Sequence, residues 1–329
     1  MHMKLTHLAG IGLGLALLGS AARAQAPAAP PSSAAAVHPD WLTLKQLRAK
    51  YADPAGRIAR IKGVDVYYKD EGVGPVMLMI HGSNSTLHTW DVEVARLKSR
   101  YRIIRFDIPP QGLSGPVSDE AVARLHPVDI PEGLLDQLHV TRATVVGVSS
   151  GGTLAVALAA KRPELVERLI LSNAPSDPVV LTGLKRPQAL VEQEAVLKAT
   201  GFRTMAFWDA FFDFFGGDPR RITPAIRRRY YDMNRRGPEP NLLSLDAKVS
   251  DDHAGAVEAM AKVRAPTLLL WGGKDPLLPP SAAHALMGYL TGAQVSLIIM
   301  PDVGHYPPLE APVRFADGLE AYIALTTPK

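Results

Sequence analysis

No cysteine occurs among the 329 residues. That absence excludes a disulfide framework, a thiolate metal site, a cysteine nucleophile and a lipid-modified cysteine anchor. An excess of one charge sign is missing too, with 36 Lys and Arg against 32 Asp and Glu. A formal charge of +4 is too weak a bias to make nucleic acid the partner. Long apolar runs are also absent. The longest, residues 8–18, falls short of the ~20 residues that span a bilayer, so no stable membrane insertion is expected. No internal repeat is visible.

What is present begins with an export pattern. Lys4 supplies a positive start, residues 8–18 are apolar and Gly-rich, and Ala22-Arg23-Ala24 offers a small-x-small cleavage site. Residues 1–24 therefore read as a signal peptide cut after Ala24, which places the mature chain in the periplasm or outside the cell. Residues 25–40 are mostly Ala, Pro and Ser and read as a linker.

From Trp41 onward, apolar strand-like runs alternate with helical periodicity. Strands are expected at 64–69, 76–80, 102–106, 143–148, 169–172, 267–271 and 295–300. A short amphipathic stretch covers 42–51, and helices are expected at 89–98, 122–138, 152–161, 281–290 and 313–323. This alternation predicts an α/β fold with a mostly parallel central sheet flanked by helices. About ninety residues without a compelling strand separate Ser172 from Thr267. The organisation is thus a first core part at 41–175, an inserted helical cap at 176–262 and a second core part at 263–329. Connections of that length are usually functional.

The chemistry starts at Gly147-Val148-Ser149-Ser150-Gly151, a G-x-S-x-G pattern between a buried strand and a small-residue helix. A serine on so sharp a turn needs neighbours without bulk, and its hydroxyl then projects above the sheet. Ser149 is the candidate nucleophile. Ser150 is a rival that lacks the glycine two positions earlier, but its backbone N–H points toward a developing oxyanion. A second such N–H is assigned to Ser83, in His81-Gly82-Ser83-Asn84 at the end of strand 76–80.

A base and an acid should follow the serine on later strand ends. Asp275 lies in Trp271-Gly272-Gly273-Lys274-Asp275, and His305 in Asp302-Val303-Gly304-His305-Tyr306, each just after an apolar run. A neutral imidazole would take the serine proton, and a buried carboxylate would fix its tautomer. Asp177 and Asp302 compete with Asp275, and His81 with His305. Trp208, Phe211 and Phe212 in the cap, with His81, Asn84 and Tyr306, are the candidate pocket residues. The arginines between Arg220 and Arg236 could clamp a carboxylate or form a solvated, ion-paired helix face.

From about Tyr51 to its end, the chain resembles the α/β-hydrolase superfamily, in the branch with a helical cap between the sixth and seventh strands. The shared marks are Glu71-Gly72-x-Gly74-Pro75, His81-Gly82-Ser83 with Leu87 and Trp90, Asp107-x-Pro109 through Pro116, the serine motif, Trp271 to Asp275, and Gly304-His305 with Glu310 and Pro312. The resemblance implies a hydrolase that needs neither cofactor nor metal, with a cap that sets substrate choice. Relatives that open epoxides or carbon–halogen bonds carry Asp at the nucleophile position, so Ser149 argues against both. Pro110, Val148 and a short stretch from Gly115 to Leu138 depart from the usual pattern. The last of these implies a more open pocket wall beside the nucleophile. The expected substrate is a small or medium, largely apolar carboxylic ester. Carbon–carbon bond or lactone hydrolysis on the same triad, and a non-catalytic ligand-binding protein, are the alternatives.

Overall fold

A computed structural model describes residues 40–179, 183–237 and 253–326. The expected export signal at 1–24, residues 25–39 of the expected linker, and residues 180–182 and 238–252 of the expected cap lie outside these. A short helix, α1 (Leu44–Tyr51), precedes an eight-stranded sheet. The strands are β1 (Gly56–Ile61), β2 (Val64–Glu71), β3 (Val76–Ile80), β4 (Arg102–Phe106), β5 (Ala143–Val148), β6 (Val166–Ser172), β7 (Thr267–Gly272) and β8 (Val295–Met300). Their spatial order is β1-β2-β4-β3-β5-β6-β7-β8, antiparallel at β1/β2 and β2/β4 and parallel elsewhere.

Strand β3 lies between β4 and β5, so the chain leaves it to one side and then crosses to the other. Crevices at the carboxyl ends of strands around such a reversal are where open α/β sheets bind ligands. The two faces of β3 show why both sides must be covered. Met77 and Met79 enter one apolar cluster, while Leu78 and Ile80 enter the other. All six residues of β5 and all six of β7 are buried, as expected of parallel strands between helical layers.

Helices α2 (Asp91–Leu97) and, near the C-terminus, Pro312–Thr326 cover one face through Val94, Leu97, Phe315 and Leu319. The other face is covered by α3 (Asp119–Arg124), α4 (Asp129–Gln137), α5 (Ser150–Lys161) and Pro280–Tyr289. The single helix expected over 122–138 is instead two. Pro127 has no N–H to continue the first and disfavours helical backbone at His126, while the Asp129 carboxylate accepts the His126 N–H at 3.0 Å. Strand β1 was not anticipated. It is an edge strand with a mixed burial pattern and an exposed Ile58, so it carries no clean alternation.

The described part of 176–262 is helical: α6 (Gln188–Thr200), α7 (Met205–Phe215), α8 (Pro224–Met233) and α9 (His253–Lys262). Thr204 and Thr223 accept backbone N–H groups at the starts of α7 and α8. Helix α9 packs against α5, so this end of the inserted stretch belongs to the helical layer of the core.

Candidate active site

Ser149 lies between the end of β5 and the start of α5, at φ 54° and ψ −130°. A non-glycine residue in that region is strained and persists only where its surroundings hold it. They do so here. The Ser149 N–H donates to Ser172 O at 2.9 Å. A Cβ on Gly147 would stand 2.4 Å from Gly151 O, and one on Gly151 would stand 2.3 Å from His81 O. The two motif glycines are therefore needed for close backbone approach, and they bring the 81–84 loop against the serine.

His305 and Asp275 reach the same point from the ends of β8 and β7. His305 Nε2 lies 3.1 Å from Ser149 Oγ, and Nδ1 lies 2.6 Å from Asp275 Oδ2. All three residues are buried. The geometry fits Nδ1–H donating to the carboxylate and Nε2 accepting from the serine. Asp275 Oδ1 also accepts the Leu277 N–H at 2.8 Å. Its Oδ2 accepts from Asn173 Nδ2 at 2.7 Å, and Asn173 Oδ1 in turn accepts the Gly272 N–H at 2.8 Å.

Asn173 carried no motif. Its signals in the sequence were its place one residue past β6 and asparagine's tolerance of positive φ, here 43°. The rival carboxylates are engaged elsewhere. Asp177 accepts from Tyr289 and Ser176, and Asp302 pairs with Arg221 and Arg314.

Ser83 Oγ and Ser150 Oγ lie 2.9 Å apart, which ties together the two residues proposed to carry oxyanion donors. His81, a candidate pocket residue, is fully buried and braces its loop instead. Nδ1 contacts Gly82 O at 2.7 Å, and Nε2 accepts the Ile108 N–H at 2.9 Å. Asp107 supports the next layer, its two oxygens accepting the Leu87 and Leu113 N–H groups at 2.7 Å each.

The cap is joined to the histidine loop at the end of α7. His305 N–H donates to Phe215 O at 2.8 Å. The buried Glu310 carboxylate accepts the Gly304 N–H at 2.9 Å on one oxygen, and the Gly217 and Asp218 N–H groups at 2.8 and 3.2 Å on the other. Burial pushes this carboxyl above its usual range, and the three donors oppose the shift.

Trp208, Phe211 and Phe212 do not stand open at a pocket wall. They pack edge-on against one another and against Tyr230 and Tyr306, because rings spaced along one helix interdigitate when a second apolar surface meets them. Tyr306 also sets its ring 4.8 Å from that of His305. Asn84 sits at φ 58° beside a cleft of about 20 Å³, its carbonyl accepting from Asn234 at 2.8 Å. The cap arginines are spent on structure. Arg220, Arg221, Arg227, Arg228, Arg229 and Arg235 pair with aspartates, and Arg236 donates to the carbonyls of Pro110, Gly112 and Ser114.

Among the described residues no group of three or more His, Asp or Glu is arranged to hold a metal ion, and no helix is long and apolar enough to cross a membrane.

The sequence pattern of the alpha/beta hydrolase family matches residues 77–318, and the chain belongs to that family. It is 27% identical over 273 residues to Lipase 1 of Psychrobacter immobilis, covering 79% of this chain and 81% of the lipase. It is likewise 27% identical over 278 residues to 2-hydroxymuconate semialdehyde hydrolase of a Pseudomonas species, covering 82% and 94%. Among solved structures, a meta-cleavage product hydrolase from Pseudomonas fluorescens superposes with a TM-score of 0.67 at 23% identity, covering 83% of this chain and 99% of that one. That likeness is one of fold.

Proposed function

We propose that the protein is a serine hydrolase that cleaves a largely apolar carboxylic ester through an acyl-enzyme. The observation that carries this reading is the unbroken relay from Ser149 Oγ to His305 at 3.1 Å and from His305 to Asp275 at 2.6 Å. These separations lie within the reach of proton transfer.

As Ser149 Oγ bonds to the ester carbon, His305 Nε2 takes the hydroxyl proton and Asp275 stabilises the imidazolium. The carbonyl oxygen gains the negative charge and accepts from the backbone N–H groups of Ser83 and Ser150. Collapse breaks the bond to the alcohol oxygen, which leaves with the proton from His305. Water then repeats the sequence: His305 takes one proton, hydroxide adds to the acyl carbon, and Ser149 departs reprotonated as the acid is released. The buried aromatic walls around His305, formed by Phe215 and Tyr306, strengthen each of these charge interactions.

The lipase among the relatives supports ester cleavage. The 2-hydroxymuconate semialdehyde hydrolase favours a second reading, carbon–carbon bond hydrolysis on the same three residues. Turnover of p-nitrophenyl acetate and butyrate, compared with vinylogous diketones and lactones, separates the two. Ester turnover at least tenfold faster in kcat/KM is the expected result, and diketone cleavage without ester cleavage would replace the ester reading.

A further inference from the structure

We infer that Tyr230, on the cap helix α8, is a positioning residue that holds the turn carrying the Ser83 N–H against the nucleophile; this rests on ester hydrolysis at Ser149 with Ser83 as an oxyanion donor. The turn is closed by the Ser85 N–H, which donates to Gly82 O at 3.2 Å. Ser83 and Asn84 are its two central residues, and Asn84 sits at φ 58°, in the left-handed region. The turn fixes the direction in which the Ser83 N–H points, so whatever holds the turn also aims the donor. It stands close against the serine, since a Cβ on Gly82 would lie 2.9 Å from Ser149 Cβ.

On the core side this turn is braced by His81 and by the contact between Ser83 and Ser150. Its other side is held by α8. Tyr230 OH lies 2.7 Å from Ser85 Oγ, which in turn contacts Thr89 Oγ1 in the short helical turn Leu87–Trp90. Four residues on, Asn234 Nδ2 donates to Asn84 O at 2.8 Å and to Tyr230 O at 2.9 Å. Arg229 donates to His88 O at 3.0 Å and pairs with Asp91. Positions 230 and 234 share one helix face, so that face reaches two consecutive residues of the loop, Asn84 and Ser85.

Packing alone does not call for the hydroxyl. The Tyr230 ring meets Trp208, Phe212 and Tyr306, an aromatic cluster that a phenylalanine would fill equally well. A hydroxyl placed there gives up its hydration and is tolerated because it is bonded. Tyr230, Ser85 and Thr89 are all buried, and their hydroxyls satisfy one another. What the tyrosine adds over a phenylalanine is therefore the bond to the loop. Loss of a whole oxyanion donor costs on the order of a hundredfold to a thousandfold in kcat, and a turn that loses one of its anchors gives up part of that.

The test is turnover of p-nitrophenyl butyrate and inhibition by butylboronic acid in wild type, Tyr230→Phe, Ser85→Ala and the double variant, with active sites counted by fluorophosphonate labelling carried to completion. The boronic acid bonds to Ser149 Oγ and leaves an oxygen where the carbonyl oxygen gains its charge. In Tyr230→Phe, kcat per labelled site should fall about tenfold with KM within about twofold of wild type, and the boronate inhibition constant should rise by about the same factor as kcat falls. Ser85→Ala should behave alike, and the double variant should be no worse than either single one, because the two hydroxyls make one bond. Wild-type kcat per labelled site in Tyr230→Phe overturns the inference and leaves ester hydrolysis standing. A rise in KM alone does the same, since it makes Tyr230 a wall of the pocket, as do single losses that multiply in the double variant. Wild type that cleaves no ester overturns ester hydrolysis itself, and the boronate series then decides the role of Tyr230. If Tyr230→Phe does not melt cooperatively, Asn234→Ala, which releases Asn84 O from α8, is read in the same way.

Discussion

At Asn173 one amide spans two jobs, donating to Asp275 Oδ2 and accepting from the Gly272 backbone. Such outer hydrogen bonds fix the orientation of a charged group that could otherwise rotate. Asn173→Ala is expected to lower kcat on p-nitrophenyl butyrate about tenfold with KM little changed, since Asp275 keeps its bond to His305 but loses a restraint. Equal loss in kcat and in folded fraction would contradict a positioning role. A second residue works against the fold. Glu93 is completely buried and neither carboxylate oxygen has a hydrogen-bond partner. Burial pushes its carboxyl well above the ordinary range, with Asp91 adding to the shift and Arg105 opposing it. For an acid whose folded pKa is raised, the associated stability is present below the unfolded value, about 4.3, and is lost as pH climbs toward the folded one. Between pH 5 and pH 8 the wild type should therefore lose a few degrees of Tm relative to Glu93→Gln, measured by circular dichroism melts. A constant gap would show that Glu93 does not titrate there.

Among the elements, α7 has the most to do with chemistry although it carries none. Its last turn supplies Phe215 O to the His305 N–H, and the following Gly217 and Asp218 share Glu310 with Gly304. Removing that carboxylate strands the buried Gly304 N–H and leaves the half-buried Gly217 and Asp218 N–H groups to water, so Glu310→Ala should lose about 1–3 kcal/mol of stability and at least tenfold in kcat. Glu310→Gln, which keeps one acceptor, should fall between it and wild type in both urea unfolding and ester kinetics. This join was not legible in the sequence. Glu310 stood out as part of a motif, but its partners Gly217 and Asp218 come from about ninety residues away and offer backbone atoms that no residue pattern marks. The strands and α5 were legible because continuous burial and helical spacing are local signals. Strand β1 was missed because an edge strand with exposed Ile58 has little apolar pattern to read. The aromatic run of α7 suggested a pocket, and only packing against Tyr230 and Tyr306 shows those rings closed on one another.

For the molecule as a whole, the sheet order decides what meets what. Ser149 follows β5, the 81–84 loop follows the adjacent β3, Asn173 follows β6, and Asp275 and His305 follow β7 and β8, so five separate segments converge on one edge of the sheet. The triad candidates could be ordered from sequence because each hangs off an apolar strand end. Substrate choice could not, because it depends on the space that elements distant in the chain enclose once folded. The central claim is that Ser149 is a nucleophile activated by His305. Its most direct test is fluorophosphonate labelling of the wild type and His305→Ala, with the adduct mapped by peptide mass spectrometry. One adduct on Ser149, formed at least a thousandfold more slowly in His305→Ala, is the predicted result, a floor for the loss of a triad base. An adduct on Ser150, or labelling of Ser149 at the same rate without His305, would contradict it.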